Sequence, residues 1–437
     1  MKSEDARGFV PRAFFVKEDS MQEKQKAILV SIAKTQSDVP ETEKSLDELE
    51  RLLDTAGGET VARVIQVKES FDPRTCIGAG KVQEINELVR HSGADTVVFD
   101  FELSPSQIRN LEDTFENCRV IDRTVLILDI FARHAVTGEG KLQVELAQLK
   151  YTVPRLIGQG AALSRLGGGI GTRGPGESKL ESDKRHLHER IHALERQLQD
   201  LSETRKTMRA ARDRSGMTKV ALVGYTNAGK STLLNALTGA GVLCEDKLFA
   251  TLDPTTRRLT LPDGQEVLLT DTVGFIRNLP HHLIHAFRST LDEVVYADVI
   301  VIVTDATDPE AEEHIQVTES LLGELGAKDK EILYVFNKCD RMPDFPKEGI
   351  KRADNNIYIS ADKHYGLTLL LNTLAEIIRG GKERVTLLVP YADLGKVSSL
   401  RSEGIIEEQE YTEEGIKIVA LLERGYVDKY AGYKQNG

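Results

Sequence analysis

The chain has 437 residues, 40% of them apolar and 29% charged, with a formal net charge of −12. That length predicts two to four domains with real hydrophobic cores, and the acidic balance excludes a protein that coats nucleic acid with its whole surface, leaving a local basic patch open. Cys76, Cys118, Cys244 and Cys339 are scattered, with no C-x-x-C pair and no histidine at metal spacing, so reduced thiols, a cytoplasmic location and no zinc are expected. Residues Lys2 to Ser20 mix charges and lack the apolar core of a secretory signal. Apolar runs such as Val299 to Val303 fall far short of the roughly 20 residues that cross a bilayer, so no integral membrane segment is expected.

From Ala27 the pattern alternates. Ala27 to Val30, Val61 to Val67, Thr96 to Phe99 and Arg119 to Ile121 read as strands, and Thr42 to Leu53, Val82 to Arg90 and Ser106 to Phe115 as helices. Residues 1–123 therefore form an N-terminal α/β domain. Within it, Ile77-Gly78-Ala79-Gly80-Lys81 mimics a phosphate loop without its full spacing or the hydroxyl after lysine; a glycine turn at a helix start is the main reading, an anion or RNA-backbone contact the alternative.

Residues 124–214 change character. Leu142, Leu146, Leu149 and Val153, then Leu187, Ile191, Leu194, Leu198 and Leu201, form two seams at coiled-coil spacing, which predicts a helical hairpin or two helices packed on the first domain. A glycine-rich loop joins them, Gly158 to Gly160 and Leu166 to Glu177, and so many glycines resist ordering before a partner binds. Between Lys150 and Lys219 stand 15 Lys/Arg against 8 Asp/Glu, a net of +7, with His186, His188 and His192 in addition. The segment suits a large RNA bound in a salt-dependent way, or else a solvated, charged coiled coil.

Residues 215–381 alternate strand and helix as a doubly wound domain does, with strands at Val220–Val223, Val267–Thr270, Val299–Thr304, Ile332–Phe336 and Ile357–Ile359, and a last helix over Leu367 to Ile378. Between the first strand and its helix lies Gly224-Tyr225-Thr226-Asn227-Ala228-Gly229-Lys230-Ser231-Thr232. This is a phosphate-binding loop. The glycines let successive N–H groups face one anion at a helix N-terminus, Lys230 reaches the β- and γ-phosphates, and the Ser231 hydroxyl holds Mg²⁺. Asp271-Thr272-Val273-Gly274 ends another strand; there a carboxylate can hold Mg²⁺ through water and the Gly274 N–H can face the γ-phosphate. Asn337-Lys338-Cys339-Asp340 follows a third strand, where the Asp340 carboxylate can accept two N–H bonds from guanine. Adenine offers no such donors, and leaving that carboxylate unpaired would cost about 1–3 kcal/mol or more. Ser360-Ala361 supplies a backbone N–H for the guanine oxygen. GTP is therefore the expected substrate. After the hinge Gly380-Gly381, residues 382–437 read as a small α+β module with strands at Val385–Val389, Ile405–Tyr411 and Ile416–Leu421 and a helix near Leu394 to Leu400.

These motifs, with the Gly-Gly-Gly-Ile-Gly-Thr-Arg-Gly-Pro-Gly-Glu loop at Gly167–Glu177, resemble the HflX family of GTPases over nearly the whole chain. The resemblance implies that Phe249-Ala250-Thr251-Leu252-Asp253 is switch I and that Thr251 closes over Mg²⁺ and the γ-phosphate, so that Lys230, Thr251 and Gly274 carry catalysis. The residues alone do not choose Thr251 over Thr255 or Thr256. It also implies a monomer that binds the large ribosomal subunit and its rRNA, cycles between GTP and GDP, and splits stalled or idle ribosomes under stress. Peripheral membrane association stands as an alternative to a purely cytoplasmic location. Asn227 is similar to an asparagine that holds K⁺ in related GTPases, or else it stabilises the loop. Arg257 and Arg258 are read as RNA or structural contacts rather than as cis arginine fingers. Where Ras-like enzymes place a water-orienting glutamine, this chain has Phe275, which predicts slow intrinsic hydrolysis and a partner that supplies the missing group. Rival readings are a GTP-dependent ribosome assembly factor, an RNA-remodelling ATPase with a second nucleotide site in the N-terminal region, and a binding module gated by GTP.

Overall fold

A computed structural model of the chain describes residues 24–115, 117–166, 175–213, 217–239, 241, 247–249, 252–280, 283, 287–342, 356–380 and 382–435. The chain divides into two compact units, Met1–Lys206 with Leu243–Pro254 and Val273–Asp292, and Thr207–Val242 with Thr255–Thr272 and Glu293–Gly437.

The first unit begins with β1 (Gln25–Ala33), α1 (Val39–Thr55), β2 (Gly58–Val67), α2 (Ala79–Ser92), β3 (Thr96–Phe99), α3 (Pro105–Glu112), β4 (Arg119–Asp122) and α4 (Arg123–His134). The strands pair in parallel in the order β2-β1-β3-β4. A parallel sheet covered by helices buries both faces, and Ala27, Ile28, Leu29 and Val30 of β1 are accordingly all fully buried. On α1, Leu46, Leu49, Leu52 and Leu53 fall on one buried face. Local chemistry starts α3: the Ser104 hydroxyl accepts from the Gln107 N–H, the Gln107 side chain accepts from the Ser104 N–H, and Pro105 holds the first helical position. The glycine turn at Gly78 opens α2; its N–H donates to Gln66 Oε1, and Lys81 pairs with Glu84 on its own helix.

Two long helices follow, α5 (Gly138–Leu166) and α6 (Pro175–Asp213). Leu149, Val153, Ile191 and Leu194 are buried together, with Leu142, Leu146 and Leu187 packed against them. The ion pairs Glu139 with Arg205 and Lys150 with Glu195 show that the helices run antiparallel. The glycine-rich stretch Gly167–Gly174 lies outside the described residues.

The second unit holds β5 (Thr218–Val223), α7 (Lys230–Thr238), β6 (Thr255–Thr260), β7 (Glu266–Asp271), β8 (Val299–Asp305), α9 (Ala311–Leu325), β9 (Glu331–Asn337), β10 (Asn356–Tyr358) and α10 (Leu367–Arg379); α8 (Arg288–Val295) precedes β8. Six strands form one sheet, ordered β10-β9-β8-β5-β7-β6. All pairs are parallel except β6 with β7. The sheet is thus mixed, and its antiparallel edge β6 was not among the expected strands. Its sequence, Thr-Thr-Arg-Arg-Leu-Thr, is mostly polar because an edge strand needs little burial, and the exposed Arg257 and Arg258 suit an edge that must not pair with another chain. In the centre, Val299 to Val303 are all buried. The C-terminal module consists of β11 (Lys382–Val389), α11 (Leu394–Glu403), β12 (Gly404–Tyr411) and β13 (Ile416–Glu423), an antiparallel sheet in the order β11-β13-β12 whose core includes Leu387, Leu400, Ile418 and Tyr430. Among the described residues, no helix is long and apolar enough to cross a membrane and no cluster of metal-ligating side chains occurs.

Candidate nucleotide-binding site

The loop between β5 and α7 is shaped by two glycines. Gly224 has φ +143, and a Cβ there would lie 2.1 Å from the Val303 carbonyl oxygen; Gly229 has φ +93, and its Cβ would meet Asn337 Nδ2 at 2.2 Å. No side chain fits either place. Asn227 is also left-handed, at φ +62, a conformation asparagine tolerates better than most residues.

Lys230, Ser231 and Thr232 form the first turn of α7, and Lys230 is buried. Its Nζ donates to the carbonyls of Gly224 at 3.1 Å and Tyr225 at 2.9 Å. Burial pulls its pKa down to about 8, against the opposing pull of Asp271, while Lys338 adds to the depression. A polyphosphate beside this lysine would favour the charged form again. The Ser231 hydroxyl donates to Asp271 Oδ2 at 2.6 Å. The other oxygen, Oδ1, is buried without a hydrogen-bond partner, and burial raises the Asp271 pKa. A hydroxyl beside an unpartnered buried carboxylate oxygen is a hard, all-oxygen donor set that fits Mg²⁺, with Ser231 and Asp271 as the residues that would hold it. Thr226 Oγ1 is likewise buried and unpartnered. The Thr272 hydroxyl donates to the Leu222 carbonyl at 2.7 Å, tying β7 to β5.

Asn337 ends β9 and joins three of the motifs. Its Nδ2 donates to the Ala228 carbonyl at 2.9 Å and its Oδ1 accepts from the Ala361 N–H at 2.9 Å. Lys338, left-handed at φ +61, reaches the Asn227 carbonyl at 2.8 Å and pairs with Asp305 at 2.8 Å. Asp340 sits in the single turn Cys339–Arg341; Ser360 is fully buried, and the buried Ala361 follows it in sequence. The phosphate loop, Asn337, Lys338 and Ala361 thus form one bonded set at the carboxyl ends of parallel strands, where open α/β sheets bind ligands. Asp305 lies outside the sequence motifs; its signal in the sequence is a carboxylate closing the apolar run of β8.

The remaining expected residues fall in the first unit or outside description. Ala250 and Thr251 are outside the described residues. Phe249 packs edge-on against Phe131, with ring centroids 4.7 Å apart, and Phe287 meets the same ring at 4.6 Å. Leu252 is buried. The Asp253 carboxylate accepts from the Val136 N–H at 2.9 Å, the Thr137 N–H at 2.8 Å and the Thr137 hydroxyl, at the start of α5. Val273, Gly274 and the buried Phe275 belong to this unit as well. Shortly after them, Arg277 pairs with Glu41, and its carbonyl accepts from the buried Arg123 at 3.1 Å.

A doubly wound sheet whose phosphate loop is bonded to an Asn-Lys-x-Asp turn defines a P-loop GTPase. Residues 43–132 match the family described as GTP-binding GTPase N-terminal, residues 134–212 its middle region, and residues 219–338 the family described as 50S ribosome-binding GTPase. GTPase HflX of Lacrimispora saccharolytica is 49% identical over 398 residues, covering 91% of this chain and 93% of that protein. GTPase HflX of Escherichia coli is 43% identical over 408 residues, covering 92% and 94%. The chain belongs to the HflX family of GTPases, and it is a GTP-hydrolysing enzyme. A GTP-binding protein from Sulfolobus solfataricus, solved with GDP, is similar over 81% of this chain and 98% of its own at 24% identity, with a TM-score of 0.41.

Proposed function

We propose that this GTPase acts on the ribosome, binding the large subunit and its rRNA through the basic helical hairpin and, in the GTP state, separating stalled or idle ribosomes into subunits. The observation that carries this reading is the Asp253 carboxylate at the root of α5. Asp253 lies two residues from Thr251, the threonine assigned to Mg²⁺ and the γ-phosphate, so a segment ordered by GTP is bonded directly to the start of the hairpin. Such order–disorder changes around a γ-phosphate are a common way for GTPases to signal. The match to a family described as 50S ribosome-binding supports the choice of partner.

In hydrolysis, Lys230 and the loop amides would hold the phosphates, Ser231 and Asp271 would hold Mg²⁺, which would supply charge neutralisation there, and the Gly274 N–H is assigned by its motif to the γ-phosphate. Phe275 is 1% exposed and apolar, so it can neither reach nor orient water. Slow intrinsic turnover and stimulation by the large subunit, in the range of roughly 10³–10⁵ where a catalytic group is supplied in trans, follow from that. Asn227 either holds K⁺ or stabilises the loop, where its carbonyl accepts from Lys338.

The test is GTPase rate with and without purified large subunits, in K⁺ and in Na⁺, together with light scattering of intact ribosomes. Stimulation with loss of scattering is expected. Stimulation without splitting would replace the proposal with an assembly role, and no stimulation at all would remove the ribosome from it. Equal rates in K⁺ and Na⁺ would reduce Asn227 to a loop-stabilising residue.

A further inference from the structure

His314 on α9 lies flat against Tyr225, the first residue of the phosphate loop after Gly224: the ring centroids are 3.7 Å apart and the planes 12° from parallel. Both residues are buried. Two neutral rings avoid so close a face-to-face sandwich, because their quadrupoles repel, whereas a cation over the ring face is attracted. Three groups that meet the imidazole favour the cation. From the turn after β8, Asp308 Oδ2 lies 3.5 Å from Nδ1; from the start of α9, Glu310 Oε2 lies 3.8 Å from Nε2; from the phosphate loop comes the Tyr225 ring. Each ring nitrogen therefore faces a carboxylate, and opposite charge at that range favours the protonated form. The helix fixes the residue in turn, since the His314 N–H donates to the Glu310 carbonyl at 2.9 Å and the Thr318 hydroxyl to the His314 carbonyl at 2.8 Å.

We infer that His314 is a positioning residue for nucleotide binding, acting as an imidazolium clamped between Asp308 and Glu310 that pins Tyr225 and with it the entry to the phosphate loop. The Tyr225 carbonyl is one of the two that receive Lys230, so the pinned residue also sets where the phosphate-binding lysine starts from. The inference rests on the phosphate loop being the nucleotide site. Guanine is assigned elsewhere, to Asp340 and Ala361, so His314 governs the phosphates and not the base.

Affinities for GTP, GDP and guanosine, measured by displacement of a fluorescent GDP between pH 6 and 9, test this in the full chain. His314→Ala is expected to weaken GTP and GDP by about 3- to 10-fold and leave guanosine unchanged. Wild-type affinity for GDP should fall as the imidazolium loses its proton, more steeply than in His314→Ala, and the ring's own titration, followed by nuclear magnetic resonance, separates this limb from that of Lys230. His314→Phe should recover part of the affinity with the flatter profile. Unchanged GDP affinity in His314→Ala, equal loss for guanosine, or superimposable pH profiles would overturn the inference. Should His314→Ala not fold, nuclear magnetic resonance titration of the wild-type histidine decides: a neutral ring at pH 7 overturns it. Failure of the wild type to bind GDP, or undiminished binding by Lys230→Ala, would instead defeat the phosphate-loop assignment.

Discussion

At the scale of single residues, Asn337 bridges two loops. Its amide satisfies the Ala228 carbonyl of the phosphate loop and the Ala361 N–H of the base loop, all three residues being buried. Asn337→Ala leaves two buried backbone groups unpaired, at about 1–3 kcal/mol each. GDP affinity and the melting temperature should therefore fall together, and loss of one without the other in parallel binding and thermal unfolding measurements would contradict the bridge. Arg123 is the comparable residue of the first unit. Its guanidinium is buried between Glu48 and Asp100, at 2.7 Å from each. Arg123→Ala strands two buried carboxylates and should cost about 3–5 kcal/mol in denaturant unfolding; a cost under about 1 kcal/mol would show that the cluster relaxes.

Among the elements, β8 delivers Asp305 to Lys338 and so steadies the turn that carries Asp340. Burial pushes the Asp305 carboxyl up, but the Lys338 ammonium and the Thr307 N–H and hydroxyl outweigh it and hold the pKa below the usual range. Because the folded value lies below the unfolded one, this stabilisation is complete above the ordinary carboxylate pKa near 4 and is lost as pH falls through the folded value. Asp305→Asn should accordingly flatten the stability curve below about pH 4, and curves of the same slope would refute the pairing. In the hairpin the seam dominates. Leu194 is fully buried between α5 and α6, so Leu194→Ala should cost about 2–5 kcal/mol. The exposed Lys150–Glu195 pair, by contrast, is worth about 1 kcal/mol or less. Denaturation followed by circular dichroism compares Leu194→Ala with Lys150→Ala directly.

For the whole molecule, nucleotide is a stabilising ligand. At a concentration one hundred times its Kd, GDP should add about 2.7 kcal/mol to the stability of the folded site, and the gain should vanish in Lys230→Ala. A melting temperature indifferent to GDP would mean that the site is not occupied in the folded protein. The proposed large-subunit stimulation and ribosome splitting belong to the same scale, since both would need the nucleotide site, the switch segments and the hairpin.

What the sequence determined by itself was whatever short-range pattern encodes. The apolar runs of β5 and β8, the glycine spacing at Gly224 and Gly229, the heptad-like seams of α5 and α6 and the order of the nucleotide motifs were all legible, because period and local backbone demand specify them. Tertiary structure decided the rest. The polar edge strand β6 has no apolar period to betray it, and it forms because β7 offers a free edge. The Asn337 bridge, the Asp305–Lys338 pair and the His314–Tyr225 stack join residues dozens of positions apart or more, whose types are unremarkable where they stand in the chain. The attachment of Asp253 to the root of α5 is of the same kind, a contact across 116 residues that no local spacing announces.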